Sequence, residues 1–209
     1  MTTTVYLIRH GETLWNKSGR IQGCTDIDLS PVGIEQAHKM AKRMQGKFDI
    51  VYSSPLNRAF ETAQILCEGT DITPIKHNGI KEINFGSWEG LTFPQVAETY
   101  PDAYSNWKVD KEEGRMLDGE VSIRNASIRS KEAIYDIVNR NQGKHIALVS
   151  HGGLIKSAIL GLFELDMTMY HKFVIGNTGI TIINFDNNLN PRLITLNDDS
   201  HVSDAVTYV

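Results

Sequence analysis

Two histidines each close an apolar run. In Val5-Tyr6-Leu7-Ile8-Arg9-His10-Gly11, four apolar residues deliver a permanent cation, a titratable ring and a glycine. The pattern returns in His145-Ile146-Ala147-Leu148-Val149-Ser150-His151-Gly152-Gly153. Such runs read as strands buried on both faces of a parallel sheet, and open α/β sheets bind ligands at the carboxyl ends of their strands. If the two strands are neighbours, His10 and His151 face one another. Arg58 falls in the first turn of a helix expected from Ser54-Pro55 onward, beside backbone N–H groups that favour anions. A cation there does not serve helix stability, so its position suggests an anionic ligand. Two acids, Glu82 and Glu89, sit in a segment rich in glycine and aromatics. Partial burial of Glu82 between Ile80 and Ile83 would raise its pKa toward the range useful for proton transfer, yet the residues alone do not choose between the two.

Two arginines, two histidines and a glutamate are an inventory for moving a phosphoryl group without metal. Arg9 and Arg58 suit the oxygens of a phosphate dianion, which guanidinium forks hold bidentately. A neutral His10 would attack phosphorus and become phosphohistidine. His151, if protonated, would stabilise charge on an equatorial oxygen, and a carboxylic acid would protonate the departing alkoxide. The cations around His10 lower its pKa, and its second ring nitrogen should donate to a carbonyl to fix the tautomer.

The elements that must position these groups follow from the pattern. Ser30-Pro31 starts a helix with apolar residues at Ile34, Ala37, Ala41 and Met44, closed by Gly46. His38 on that helix belongs at the surface. Residues 49–53 form a second strand, and Leu56, Phe60, Ala63 and Leu66 mark the stripe of the next helix. Residues 73–76 suit a short edge strand, where a proline is tolerated. Residues 92–120 look irregular and are expected to be an insertion over the site, with Tyr104, Trp107, Lys108, Lys111 and Arg115 as candidates for touching the leaving group. A helix is expected over 121–140 and another over 154–160. Residues 179–185 and 192–196, joined by a short turn, read as an antiparallel hairpin at one edge of the sheet.

The chain has 209 residues, 41% of them hydrophobic, with a formal net charge of -4. This length suits one α/β domain with an insertion. The charge and the lack of a basic run argue against nucleic-acid binding. No apolar run approaches the roughly 20 residues of a membrane span, and no secretory signal precedes the first strand. The two cysteines, Cys24 and Cys67, make no disulfide framework, so a cytoplasmic location is expected. No metal-ligand pattern is evident, and neither metal nor cofactor is expected.

Leu7-Ile8-Arg9-His10-Gly11-Glu12-Thr13 with Trp15-Asn16 resembles the signature of the histidine phosphatase superfamily, the phosphoglycerate mutase-like proteins. The similarity continues through Arg20, Gln22-Gly23, Asp28-Leu29-Ser30-Pro31-Val32-Gly33, Gln36-Ala37, Ser53-Ser54-Pro55-Leu56-Asn57-Arg58-Ala59, Glu82, Gly86-Ser87-Trp88-Glu89-Gly90 and Val149-Ser150-His151-Gly152-Gly153. The resemblance implies a three-layer α/β/α sandwich with a mostly parallel central sheet and an antiparallel edge strand, occupying residues 1–209, with the insertion at about 92–120. It implies His10 as nucleophile, Glu82 as the acid, Arg9, Arg58 and His151 as catalytic partners, and Asn16, Gln22, Gly23 and Gly152 as substrate neighbours. His201 resembles a structural position of the family. Where relatives carry Pro-x-Gly-Glu-Ser, this chain has Asp118-Gly119-Glu120-Val121-Ser122, a departure that bears on the loop and the substrate. The expected activity is a metal-independent phosphatase acting on a small phosphorylated metabolite. The alternatives are a cofactor-dependent phosphoglycerate mutase, an α-ribazole phosphatase of cobalamin synthesis and, from another class, a non-catalytic phospho-ligand-binding relative. A homodimer is implied by family habit alone.

Overall fold

The computed structural model describes residues 1–202. Six strands form one sheet: β1 (Thr3–Arg9), β2 (Ile50–Ser53), β3 (Ile75–Lys76), β4 (His145–Ser150), β5 (Ile180–Phe185) and β6 (Pro191–Asp198), in the order β3-β2-β4-β1-β5-β6. β3, β2, β4 and β1 are mutually parallel, and β5 runs against β1 and pairs with β6 as the expected antiparallel hairpin. Asp186 closes the hairpin turn by accepting the N–H groups of Asn188 and Asn190.

The strands alternate their apolar residues between two faces, as the pleat requires. Val5, Leu7, Ile146, Leu148, Ile183 and Phe185 pack against α6 (Ile123–Arg140) and α7 (Gly152–Phe163). Ile8, Val51, Ala147, Val149 and Ile180 pack against α2 (Pro31–Met44) and α3 (Asn57–Cys67). Each such aliphatic side chain removed from water contributes ~1.5–3 kcal/mol, so both faces are held and the sandwich has three layers.

The short helix α1 (Leu14–Lys17) follows β1 and is capped by Thr13. Between β3 and α6 the chain departs from expectation. Residues 92–120 are not irregular throughout: they carry α4 (Phe93–Thr99) and α5 (Pro101–Val109). Thr92 caps α4 by accepting from the Gln95 N–H while the Gln95 side chain reaches back, a capping box that the two prolines obscure in the sequence. Trp107 of α5 is pinned edge-on against the fully buried Trp88, with ring centroids 5.4 Å apart, and stacks on Phe93. The helix expected over 121–140 starts at Ile123 with Ser122 as its cap, because Val121 is in the left-handed region (φ 72°) and cannot be helical. The helix after β4 is longer than expected at both ends. His38 is exposed as expected.

Candidate active site

The sheet order sets three residues side by side at one edge. The His10 N–H donates to Ser150 O and the Ser54 N–H to Val149 O, so the ends of β1, β4 and β2 are held in register beyond the strands themselves. His10 and His151 consequently lie with ring centroids 5.2 Å apart. The turn after β1 is seated directly on the first turn of α2. A Cβ on Gly33 would stand 2.0 Å from Glu12 O, and one on Gly11 would stand 2.4 Å from Gly33 O, so only glycine permits the approach. Ser30 Oγ donates to the Glu12 carboxylate, and the Glu12 N–H donates to the Gln36 side chain. These motif residues therefore hold the histidine loop.

A cavity of about 310 Å³ opens at this edge. Of the residues expected at the site, Arg9, His10, Asn16, Gln22, Gly23, Arg58, Glu82 and Gly152 line it. His151 is not among them: it is fully buried, with its ring against that of His10.

The hydrogen bonds assign the His10 tautomer. Nδ1 lies 2.7 Å from Gly11 O, which can only accept, so Nδ1 carries the hydrogen. Nε2 accepts from Arg58 Nε–H at 3.3 Å and keeps its lone pair on the side of the arginine. Arg58 is itself gripped by Gly23 O and Thr25 O, at 2.8 Å and 2.9 Å, which aims its guanidinium from the first turn of α3 into the cavity. Burial, then Arg58 and Arg9, hold the His10 pKa well below the usual imidazole value, so the ring is neutral. Arg9, buried, is lowered to about 10 by burial, with Glu82 opposing, and donates Nη1–H to Ile175 O while its Nε–H has no partner among the described residues.

His151 is also neutral, since burial, Arg58, His10 and Arg9 all pull its pKa well below the usual value. A protonated ring, as expected from the sequence, would need an anion beside it to offset these effects. Ser54 Oγ accepts from the Leu56 N–H and lies 2.7 Å from His151 Nε2. His151 Nδ1 is a buried atom with no hydrogen-bond partner among the described residues. Ser54 does not cap α3 as expected. Leu56 occupies the cap position and the serine orients a histidine instead.

The structure distinguishes the two glutamates. Glu89 accepts from the N–H groups of Cys24, Thr25 and Phe85 and from Thr25 Oγ1, so it ties two loops together and is absent from the cavity wall. Glu82 lines the cavity. Its Oε1 accepts from the Ile83 and Leu154 N–H groups at 2.9 Å and 2.8 Å, and Oε2 from Gly153 N–H at 3.2 Å. Burial raises its pKa above the ordinary carboxyl value, against the lowering by those N–H groups and Arg58. The segment bearing Glu82 is fixed from behind by Arg129, which donates to Gly79 O and Lys81 O and forms a two-point ion pair with Glu120. Glu120 also accepts the Asn84 N–H, and Asp118 accepts from Ser87. The departing Asp-Gly-Glu-Val-Ser stretch thus clamps the acid's loop, with Val121 absorbing the turn.

Asn16 Oδ1 accepts from the Thr13 N–H and hydroxyl and from Asn177, which also donates to His10 O. Asn177 gave no signal in the sequence pattern. Of the candidates in 92–120, Tyr104, Trp107 and Lys108 line the cavity, whereas Lys111 and Arg115 point elsewhere, exposed to solvent. Arg20, Phe93, Lys156, Tyr170 and His171 also line the wall, together with Phe173, Val174 and Ile175, which form no strand. Lys156 had a signal, as the one charged residue inside the apolar run 154–160. His201 Nε2 lies 3.1 Å from Thr178 Oγ1. Among the described residues no group of three or more His, Cys, Asp or Glu side chains could hold a metal ion, and no helix is long and apolar enough to cross a membrane.

Comparison with known proteins agrees with this geometry. Residues 5–199 match the model of the histidine phosphatase superfamily, branch 1. The chain is 30% identical over 199 residues to phosphoserine phosphatase 1 of Hydrogenobacter thermophilus, covering 95% of this chain and 93% of that one. It is 37% identical over 167 residues to the metal-independent phosphoserine phosphatase of Arabidopsis thaliana, covering 78% and 69%. Two crystal structures of the phosphoserine phosphatase of Entamoeba histolytica, a mutant in complex with phosphoserine and the enzyme with 3-phosphoglyceric acid, superpose with TM-scores of 0.89 and 0.88. Both share 43% identity over 96% of this chain and 99% of theirs. The chain belongs to the histidine phosphatase superfamily, branch 1.

Proposed function

We propose that this chain is a metal-independent phosphatase that hydrolyses small phosphate monoesters through a phosphohistidine, and that residues 1–209 act as one catalytic domain in which 92–120 covers the substrate. Arg9 and Arg58 take the phosphoryl oxygens, with Asn16, Gln22, Gly23 and Gly152 as their polar surroundings. The lone pair of His10 Nε2 attacks phosphorus as the ester P–O bond breaks, and the Glu82 carboxyl proton passes to the leaving oxygen. The Glu82 carboxylate then takes a proton from water, the water oxygen bonds to phosphorus, and the P–N electron pair returns to His10. His151 donates a ring N–H to a phosphoryl oxygen. This enzyme is a phosphoric monoester hydrolase, like the phosphoserine phosphatases it resembles.

The observation that carries the reading is the neutral His10, its Nε2 against the Arg58 guanidinium, in one cavity with Arg9 and a carboxyl of raised pKa. Two free cysteines support a cytoplasmic enzyme, and light scattering tests the homodimer. Rapid quenching with a ³²P-labelled ester should trap an acid-labile, base-stable phosphoenzyme that is absent from His10→Ala. That variant should lose phosphate release by at least about 10⁴-fold. Undiminished release from His10→Ala overturns the proposal. Isomerisation of 3-phosphoglycerate outpacing phosphate release would assign the chain to the mutases instead.

A further inference from the structure

The cavity carries more positive charge than a phosphate dianion requires. Its wall includes Arg9, Arg20, Arg58, Lys108 and Lys156 but a single carboxylate, Glu82. Arg9 and Arg58 serve the phosphoryl end, and Arg20 is engaged with Gly90 O. Lys156 is different. It is half-buried and forms no ion pair with a carboxylate among the described residues, and its ammonium stands 5.0 Å from the centroid of the Tyr170 ring. A lysine held in a cavity without a carboxylate partner is an expensive arrangement unless a ligand supplies the anion.

Its place on α7 says where that anion is. Lys156 follows Gly152 by four residues, so the two share one face of the helix, ~6 Å apart along the axis. Gly152 begins the helix beside Arg9, at the phosphoryl end. That offset is comparable to the reach from phosphorus to the carboxyl carbon of a phosphorylated three-carbon hydroxy acid, four covalent bonds away.

We propose that Lys156 receives a carboxylate on the leaving group, with Lys108 adding to the field, so that the enzyme selects phosphate esters of small hydroxy acids over esters of the same size that carry an uncharged group there. The inference rests on the phosphatase reading and adds a specificity-determining residue to it.

The pair 3-phosphoglycerate and glycerol 3-phosphate isolates the contact, since the two differ only in carboxylate against hydroxymethyl. At pH 7 the ratio of their kcat/KM values should favour the acid by at least about 30-fold, the size expected of a desolvated charge-assisted contact. Lys156→Met should remove at least about tenfold of that ratio, Lys156→Gln should do the same, and Lys156→Arg should restore most of it. The native enzyme provides a second readout. Burial, Arg9 and Lys108 lower the Lys156 pKa to about 8, with Glu82 opposing, so the ratio should fall as pH rises from 7 to 9.5. Tyr170, raised well above 10, and His171, at about 4, also face the ammonium and do not titrate in that window. Changes in Glu82 or Arg9 act on both esters and cancel. Equal efficiency for the two esters, or a ratio that neither Lys156 substitution nor pH alters, overturns the inference and leaves the phosphatase reading intact. Hydrolysis of neither ester by the native enzyme defeats both.

Discussion

Glu82→Gln separates the chemical role of the glutamate from its structural one. Glutamine keeps a carbonyl oxygen for the Ile83 and Leu154 N–H groups, now 2.9 Å and 2.8 Å from Oε1. Its amide nitrogen then replaces Oε2 opposite the Gly153 N–H, donor against donor. One buried bond is lost, at a cost of about 1–3 kcal/mol, which lowers Tm by roughly 3–9 °C for a chain of this size. The loss of a general acid is a separate and larger effect. An alkyl ester such as glycerol phosphate leaves as an alkoxide and should lose about 10²–10⁴ in kcat/KM, ~3–5 kcal/mol of transition-state stabilisation. Nitrophenolate leaves without a proton, so kcat/KM for p-nitrophenyl phosphate should fall by no more than about tenfold. Hydrolysis of the phosphohistidine still needs Glu82 as base, so the variant should release a burst of nitrophenol and accumulate phosphoenzyme. Stopped-flow absorbance and acid-quench labelling read the two steps. Equal losses for both esters with no burst would mean that Glu82 only holds the loop, and the proton inventory proposed for this site would be wrong.

Ser54→Ala should leave His151 Nε2 without its hydrogen-bond partner and free the ring: kcat should fall by about 10–100-fold with KM little changed, and a decrease confined to KM would contradict the orienting role. Gly33→Ala drives a Cβ into the backbone at Glu12, and should cost at least about 2–3 kcal/mol and lower both Tm and activity; an unchanged Tm refutes the close packing of α2 on the histidine loop. His10 and His151 have depressed pKa values when folded, so the unfolded chain binds the extra protons. Their stabilising contribution is complete above the unfolded value near 6.5 and is lost as pH falls below it, by up to about 1.4 kcal/mol per pH unit for each ring. Urea unfolding between pH 7.5 and 5 should show this slope, reduced in His10→Asn, and a slope unaltered by that substitution would mean that His10 is already charged in the fold.

The chemistry was legible wherever one strand delivers it. The apolar runs before His10 and His151 are those of strands covered on both faces, and β1 and β4 are indeed adjacent and parallel, so the histidines had to meet. Arg58 was legible for a related reason: its position in the first turn of α3 makes little sense for the helix alone. What stayed hidden depends on tertiary partners. Glu82 and Glu89 have similar neighbours in the chain, and only the amide groups of Cys24, Thr25, Gly153 and Leu154, distant in sequence, send one into a loop clamp and the other to the cavity. Ser54 before a proline looks like any helix cap, since nothing local reveals that its hydroxyl faces a histidine 97 residues away. Residues 92–120 looked irregular because α4 and α5 are short and present aromatics on more than one side, to Trp88 beneath and to the cavity. Their periodicity is therefore weak, and only the Thr92–Gln95 box marked the start. The division has a physical basis. A parallel sheet brings its strand ends together whatever the loops do, so catalytic groups placed there can be read from the strands. The rest of the cavity wall, lined from α5, α7 and the stretch after it, depends on how those pieces pack, and under the proposed function it is where substrate preference would change without disturbing the histidines.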